Sequence, residues 1–199
     1  MNSATHGDVL ETEFTEKPPF PPASDLVFAA FCFFRREVLA RYLAELSRHE
    51  WSYDISRDVI PAMLRGGERI AGFRVDGYWE DIGTIERYHR AHIRLTGPEP
   101  TIPLRDMPLT LRPRLPRRIT SDRPGLRDSL VASDLVNDGV VDRSVVYPGV
   151  TVAAGAVVRG SVLLPGCTVA PGTHVEDTIV LDEERLDASR RGLGELGGS

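Results

Sequence analysis

Ser144-Val-Val-Tyr-Pro-Gly-Val-Thr-Val-Ala-Ala-Gly-Ala-Val-Val-Arg-Gly160 aligns without gaps on Ser161-Val-Leu-Leu-Pro-Gly-Cys-Thr-Val-Ala-Pro-Gly-Thr-His-Val-Glu-Asp177, with nine of seventeen positions identical. Small or β-branched residues return at near-hexapeptide intervals, and Pro-Gly or Ala-Gly marks the corners. That pattern specifies a short triangular parallel β-helix, in which each coil buries its inner face only by stacking on its neighbours. A weaker copy, Ser129 to Arg143, precedes the pair, and Thr178-Ile179-Val180 begins another. The sequence thus predicts about three coils over residues 127–182. So short a solenoid exposes its ends, and capping by the α/β segment of residues 8–96 or by another subunit is expected. Residues 183–199 are charged and glycine-rich and are expected to fray.

Upstream, residues 97–126 read as a linker. Pro98, Pro100, Pro103, Pro108, Pro113, Pro116 and Pro124 forbid long regular structure, and Arg105, Arg112, Arg114, Arg117, Arg118 and Arg123 form a positive cluster that pairs with neighbouring acids or binds an anionic effector. Residues 8–96 alternate strand-like and helical patterns. Strands are expected at Val9 to Phe14, Leu26 to Phe34 (apolar and buried) and Ile70 to Val75. Helices are expected at Arg36 to His49, whose Val38, Leu39, Tyr42, Leu43 and Leu46 form one stripe, at Asp54 to Leu64, and at Ile85 to Leu95. This is an α/β segment too small to be a whole doubly wound sheet.

The stretch Gly77-Tyr-Trp-Glu-Asp-Ile-Gly-Thr84 has the plan of a site. It sets an aromatic shelf and an acid in a turn directly before a helix that Thr84 can cap and Gly97-Pro98 ends. Asp81, fixed at both sides, is suited to a divalent cation or a sugar hydroxyl. A net charge of −5 argues against a general nucleic-acid binder. Of 24 basic residues, Lys17 is the single lysine. A compact ammonium meets phosphate as a point charge, which a planar guanidinium does not.

Three motifs in order carry a resemblance: Glu16-Lys17-Pro18 after a strand, Asp54-Ile-Ser-Arg-Asp-Val-Ile-Pro61, and Trp79-Glu-Asp-Ile-Gly-Thr84, followed by the coil repeats. Together they resemble the bacterial ADP-glucose pyrophosphorylases (glucose-1-phosphate adenylyltransferases) within the sugar-phosphate nucleotidyltransferases. The resemblance implies formation of ADP-glucose and pyrophosphate from ATP and glucose 1-phosphate, for glycogen-type glucan synthesis. It implies that Glu16 accepts from sugar hydroxyls, Lys17 contacts the sugar-linked phosphate, Trp79 walls the sugar, Asp54 lies near the sugar pocket, and Asp81 holds Mg2+ as one of two carboxylates. It also implies that the α/β segment is part of a nucleotidyltransferase domain followed by a left-handed parallel β-helix, through which the chains oligomerise. Two departures stand out. No glycine-rich triphosphate loop is read in these residues, since Gly66-Gly67 follows a helix as its stop, and Phe28-Ala29-Ala30 replaces the family's small Ser-x-Gly stretch.

Other residues are weaker candidates. His89 and His92 have a helical metal spacing, but His92 lies on the apolar face and no third ligand is evident. Asp58 shares a helix face with Asp54 or serves as helix-start charge. Cys32 and Cys167 read as small buried hydrophobes. No apolar run approaches a membrane span, and a cytoplasmic location is expected. Two rivals remain: a non-catalytic paralogue that assembles with and regulates an intact enzyme, and a hexapeptide-repeat acyltransferase with His174 as base.

Overall fold

The computed structural model describes residues 9–10, 14, 26–102, 116–119 and 124–194. The chain forms two compact units, 1–77 and 78–199.

In the first unit, strand β1 (Val9–Leu10) precedes helix α1 (Arg36–Leu46), and a π-helical turn at Ile55–Val59 runs directly into α2 (Ile60–Arg65). Pro61, in the first turn of α2, needs no amide partner there. Tyr42, Val59 and Met63 form the core, with Phe34, Val38, Leu39, Leu46, Trp51 and Ile70 packed around them. The α1 stripe therefore packs as its spacing predicts at Val38, Leu39, Tyr42 and Leu46, while Leu43 is left exposed. Gly66 ends α2, and a Cβ there would stand 2.0 Å from the Tyr42 hydroxyl, so glycine is the residue that fits.

Of the strand expected at Ile70 to Val75, only two residues pair. Strand β2 (Ala71–Gly72) pairs antiparallel with β1, and Phe73 and Val75 beyond it are exposed. Leu26 to Phe34 forms no strand, Ala30 bends the chain with a φ of +61°, and Leu26, Val27, Phe31 and Phe33 are exposed, contrary to the buried strand read from its composition. Apolar content gives a segment a wish to be buried, but only a neighbouring strand makes it part of a sheet.

The second unit opens with helix α3 (Ile85–Ile93). After it, β3 (Pro116–Ile119) lies antiparallel against β5 (Ser129–Ala132) and covers one edge of the solenoid. The cap thus comes from the segment read as linker. Strands β4 (Leu126–Arg127), β5 and β6 (Val136–Asn137) make the first coil. β7 (Val140–Asp142), β8 (Val145–Val146) and β9 (Thr151–Val152) make the second. The third is β10 (Val157–Arg159), β11 (Val162–Leu163) and β12 (Thr168–Val169). The fourth is β13 (His174–Glu176), β14 (Ile179–Val180) and β15 (Arg185–Leu186), and β16 (Arg190–Arg191) starts a further turn. The coils pair in parallel as three sheets, ordered β16-β13-β10-β7-β4, β14-β11-β8-β5-β3 and β15-β12-β9-β6. The fourth coil runs beyond residue 182, where a frayed tail was expected: Thr168 pairs with Arg185 and Val175 with Arg190. Arg185 sits outward beside the inner Leu186, and Arg190 continues the inner column over Val175 with its guanidinium bonded to Glu184, which a composition reading cannot see.

Three devices fix the register. Val141, Val158 and Val175 stack in one sheet, Val146, Leu163 and Val180 in the next, and Val152, Val169 and Leu186 in the third, all buried in one core. Inside one corner, Ser129, Ser144 and Ser161 each donate to the carbonyl two residues earlier (2.6, 2.8 and 2.7 Å). Each also accepts the amide of the next rung, Ser144, Ser161 and Thr178, at 3.1, 3.1 and 3.2 Å. A hydroxyl with one donor and two lone pairs suits that double duty in a dry corner. On the outer face of one sheet, Arg127, Asp142, Arg159, Glu176 and Arg191 lie opposite one another on successive strands, a column of alternating charge. Arg127 grips Asp142 with two nitrogens, at 3.0 and 2.6 Å. That grip outweighs desolvation and holds the Asp142 carboxyl below the usual range.

Candidate substrate-binding site

The loop 78–84 is held on α3 by a comb of arginines. Thr84 caps the helix, its hydroxyl accepting the Arg87 amide at 3.2 Å. Arg87, Arg90 and Arg94 recur at helical spacing and so share a face. Arg87 Nη1 donates to Asp81 Oδ2 at 3.1 Å. Arg90 Nη2 donates to Glu80 Oε1 at 3.3 Å and Arg94 Nη1 to Glu80 Oε2 at 2.8 Å, while the Tyr78 hydroxyl donates to Oε2 at 3.2 Å. Desolvation pushes the Glu80 carboxyl up, but the bonds from Tyr78 and Arg90 and the charges of Arg94 and Arg90 outweigh it and hold it below the usual range. Glu80 is thereby the fixed point of the loop. Its neighbours Trp79 and Asp81 are left exposed, the Asp81 side chain at 58%.

On its other side α3 seats on the solenoid. His89 Nε2 donates to the carbonyl of Gly160 at 2.6 Å. His92 Nδ1 donates to the Tyr88 carbonyl at 2.8 Å, which leaves Nε2 to accept from the Tyr147 hydroxyl at 3.0 Å. Burial favours the uncharged form of both partners: it lowers the His92 pKa and, with the nearby charge of Tyr88 and a hydrogen bond to it, raises that of Tyr147 to about 12. The metal-like spacing of the two histidines is therefore used for docking. Gly97 continues the seam, donating its amide to the Asp128 carbonyl at 3.0 Å.

In the first unit, Asp54 caps the π-helical turn, Oδ1 accepting the amides of Ser56 and Arg57 at 2.7 and 3.0 Å. Asp58 Oδ2 accepts the amides of Ser52 and Asp54 at 3.0 and 3.1 Å. Both acids hold the turn, as helix-start charges do. Glu16 and Lys17 lie outside the described residues. His174 is exposed on β13 with its amide bonded to the Ser189 hydroxyl. Cys167 is buried in the solenoid core, its thiol pushed up to about 12 by burial and by the charges of Glu184 and Asp182, so it is inert.

Among the described residues no three of His, Cys, Asp and Glu cluster as a metal cage. Magnesium commonly takes only one or two carboxylates when substrate phosphates fill the rest of its shell. Asp81, an exposed oxygen ligand on an anchored turn, fits as one such ligand, with Arg87 as the cation it would exchange. Sequence reasoning missed Glu80; the signal was there in Arg87, Arg90 and Arg94 at one-face spacing after an acidic pair.

Residues 4–97 match the family model described as nucleotidyl transferase, and residues 116–190 match the GlmU-like, C-terminal hexapeptide model. Over these residues the chain is similar to part of a nucleotidyltransferase domain followed by a hexapeptide solenoid. It is 55% identical over 150 residues to valienol-1-phosphate guanylyltransferase of Streptomyces hygroscopicus subsp. limoneus, covering 75% of this chain and 40% of that protein. It is 31% identical over 158 residues to glucose-1-phosphate adenylyltransferases of Bacillus thuringiensis (strain Al Hakam) and Bacillus anthracis, covering 77% of this chain and 42% of each. The chain thus spans about two fifths of the length of these relatives. Among the described residues, no helix is long and apolar enough to cross a membrane.

Proposed function

We propose that this chain supplies the sugar-phosphate side and the solenoid of a nucleotidyltransferase whose acceptor is a cyclitol or hexose 1-phosphate. The carrying observation is the 55% identity to a valienol-1-phosphate guanylyltransferase, against 31% to glucose-1-phosphate adenylyltransferases. It favours a valienol-like 1-phosphate with a guanine nucleotide over ADP-glucose formation for glycogen. In the reaction a phosphate oxygen of the 1-phosphate attacks the α-phosphorus of a nucleoside triphosphate, and the bond to the departing pyrophosphate breaks. Two anions must be brought together and their charge offset, so positioning and electrostatics carry the rate.

Each residue then has a role matched to its chemistry. Lys17 meets the phosphate of the acceptor as a point charge, and Glu16 accepts from its ring hydroxyls. Trp79 walls the ring, and Asp54 borders the pocket. Asp81 is one of two carboxylates for Mg2+, which when bound would neutralise phosphate charge during transfer. Glu80, gripped by Arg90 and Arg94, positions Trp79 and Asp81 without touching substrate. The solenoid serves assembly with further subunits.

The test is a chimera in which these residues replace the matching 150 of the guanylyltransferase relative. Pyrophosphate release from GTP and valienol 1-phosphate, lost in Asp81→Asn, is the expected result. A folded chimera that releases none, or one unaffected by Asp81→Asn, refutes the reading; preference for ATP and glucose 1-phosphate would move it to the adenylyltransferase alternative.

A further inference from the structure

Tyr53 enters the π-helical turn of the first unit with a backbone φ of +58°, in the left-handed region where glycine or asparagine is at ease and a bulky side chain is an outlier. The conformation is imposed by its surroundings. Asp58 Oδ2 accepts the amides of Ser52 and Asp54, the two neighbours of Tyr53, at 3.0 and 3.1 Å, and Asp54 in turn caps Ser56 and Arg57. Tyr53 is thus held between two clamped peptide groups. Its side chain is 82% exposed, so burial does not repay the strain. Its ring meets that of Trp51 with centroids 4.7 Å apart and planes tilted by 42°. Trp51 packs against the core of Tyr42, Val59 and Met63, which gives the aromatic pair a rigid backing. The Trp51 Nε1 is buried with no acceptor among the described residues. A strained backbone and an unpaired indole N–H therefore meet in one turn, and such local costs concentrate where a side chain is held for binding.

The chemistry of the ring says what it can hold. The face of a tyrosine is electron-rich, so it attracts the C–H groups on one side of a saturated ring and repels a bare anion. Its hydroxyl, out in water, can meet the hydroxyls of the same ligand. An aromatic fixed by its backbone also loses little freedom on contact. We propose that Tyr53 is a specificity-determining residue of the acceptor site, its ring stacking on the C–H face of the cyclitol or hexose whose 1-phosphate reacts. The inference rests on the function proposed above, in which Asp54, the next residue in the chain, borders the pocket. Tyr53 reads the ring of the acceptor, and the phosphate is left to Lys17.

The test titrates valienol 1-phosphate and glucose 1-phosphate into the full chain by calorimetry in the presence of magnesium, with inorganic phosphate as the comparison. Tyr53→Asn should weaken the sugar or cyclitol phosphate about three- to tenfold, the loss of one stacked ring, and leave the affinity for inorganic phosphate unchanged. Tyr53→Phe keeps the ring and should bind within about twofold of the wild type. Asparagine suits the left-handed turn, so the variant folds, and its unfolding temperature checks this. Lys17→Ala, by contrast, should weaken both kinds of ligand. Binding that needs Lys17 but is indifferent to Tyr53→Asn, or a loss in Tyr53→Asn that is equal for inorganic phosphate, would overturn this inference alone. Absence of binding in the wild type, or binding indifferent to Lys17→Ala, would overturn the function proposed above and this inference with it.

Discussion

Glu80 Oε2 and Arg94 Nη1 stand 2.8 Å apart, across fourteen residues of chain, and this contact ties the loop before α3 to the last turn of the helix. Arg90 and Tyr78 complete the grip. Glu80→Gln keeps the shape but removes the charge that both guanidinium groups share. Amide exchange over residues 78–84 should speed up in this variant while exchange in the solenoid is unchanged. Equal exchange in both proteins would show that the loop is held by something else.

The contact between His92 and Tyr147 makes the seating of α3 sensitive to pH. Burial keeps His92 neutral, so its folded pKa lies below the ordinary 6.5, and the unfolded chain takes up the proton first as pH falls. The stabilisation is therefore complete above about 6.5 and is lost as pH drops through the folded value. Protonation also turns Nε2 into a donor and forces the Tyr147 hydroxyl to reverse its bond. The unfolding temperature should fall between pH 7 and 5, and His92→Gln should flatten that slope.

The hydroxyl ladder separates two outwardly similar changes. Ser144→Ala strips the partner from the buried amide of Ser161 and should cost about 1–3 kcal/mol, the desolvation of an unpaired group. Thr178 is the last rung, and its Oγ1 has no partner among the described residues. Thr178→Val keeps the shape and removes an unsatisfied atom, so its midpoint in urea should be unchanged or higher. A reversed order of the two variants would contradict the ladder.

How much of this was legible in sequence follows from the range of the forces involved. The solenoid announced itself because each coil repeats the same local requirement, and Ser144 over Ser161 or Val158 over Val175 carries register directly in the alignment. The helices α1 and α3 were legible for the same reason, as was the Thr84 cap. The strand expected at Leu26 to Phe34 was not, because pairing depends on a neighbour that the segment's own residues do not describe. The fourth coil was hidden behind charged outward residues, and the comb of arginines on Glu80 was hidden because an ion pair is defined by two partners at once. Trp79 and Asp81 stand exposed on the turn that the sequence places before α3, and the bonds of Asp54 are those of a cap.

Glycines in the solenoid differ in what they permit. A Cβ on Gly139 would stand 2.5 Å from the Ala156 carbonyl oxygen and 2.9 Å from that of Ala153, in the backbone of the next coil. Gly139→Ala must push the coils apart and should cost about 1–3 kcal/mol, as overpacking does. Gly172 has open space around its Cβ position and a φ of +71°, so Gly172→Ala meets backbone strain alone, about 1 kcal/mol. Urea unfolding of the two variants measures the difference.

The most direct test of the account is whether this chain holds the acceptor. Calorimetric titration with a hexose or valienol 1-phosphate in the presence of magnesium should show saturable binding that Lys17→Ala abolishes and Asp81→Asn weakens. Binding that is absent in the wild type, or indifferent to Lys17 and Asp81, would contradict the assignment of the sugar-phosphate side to this chain.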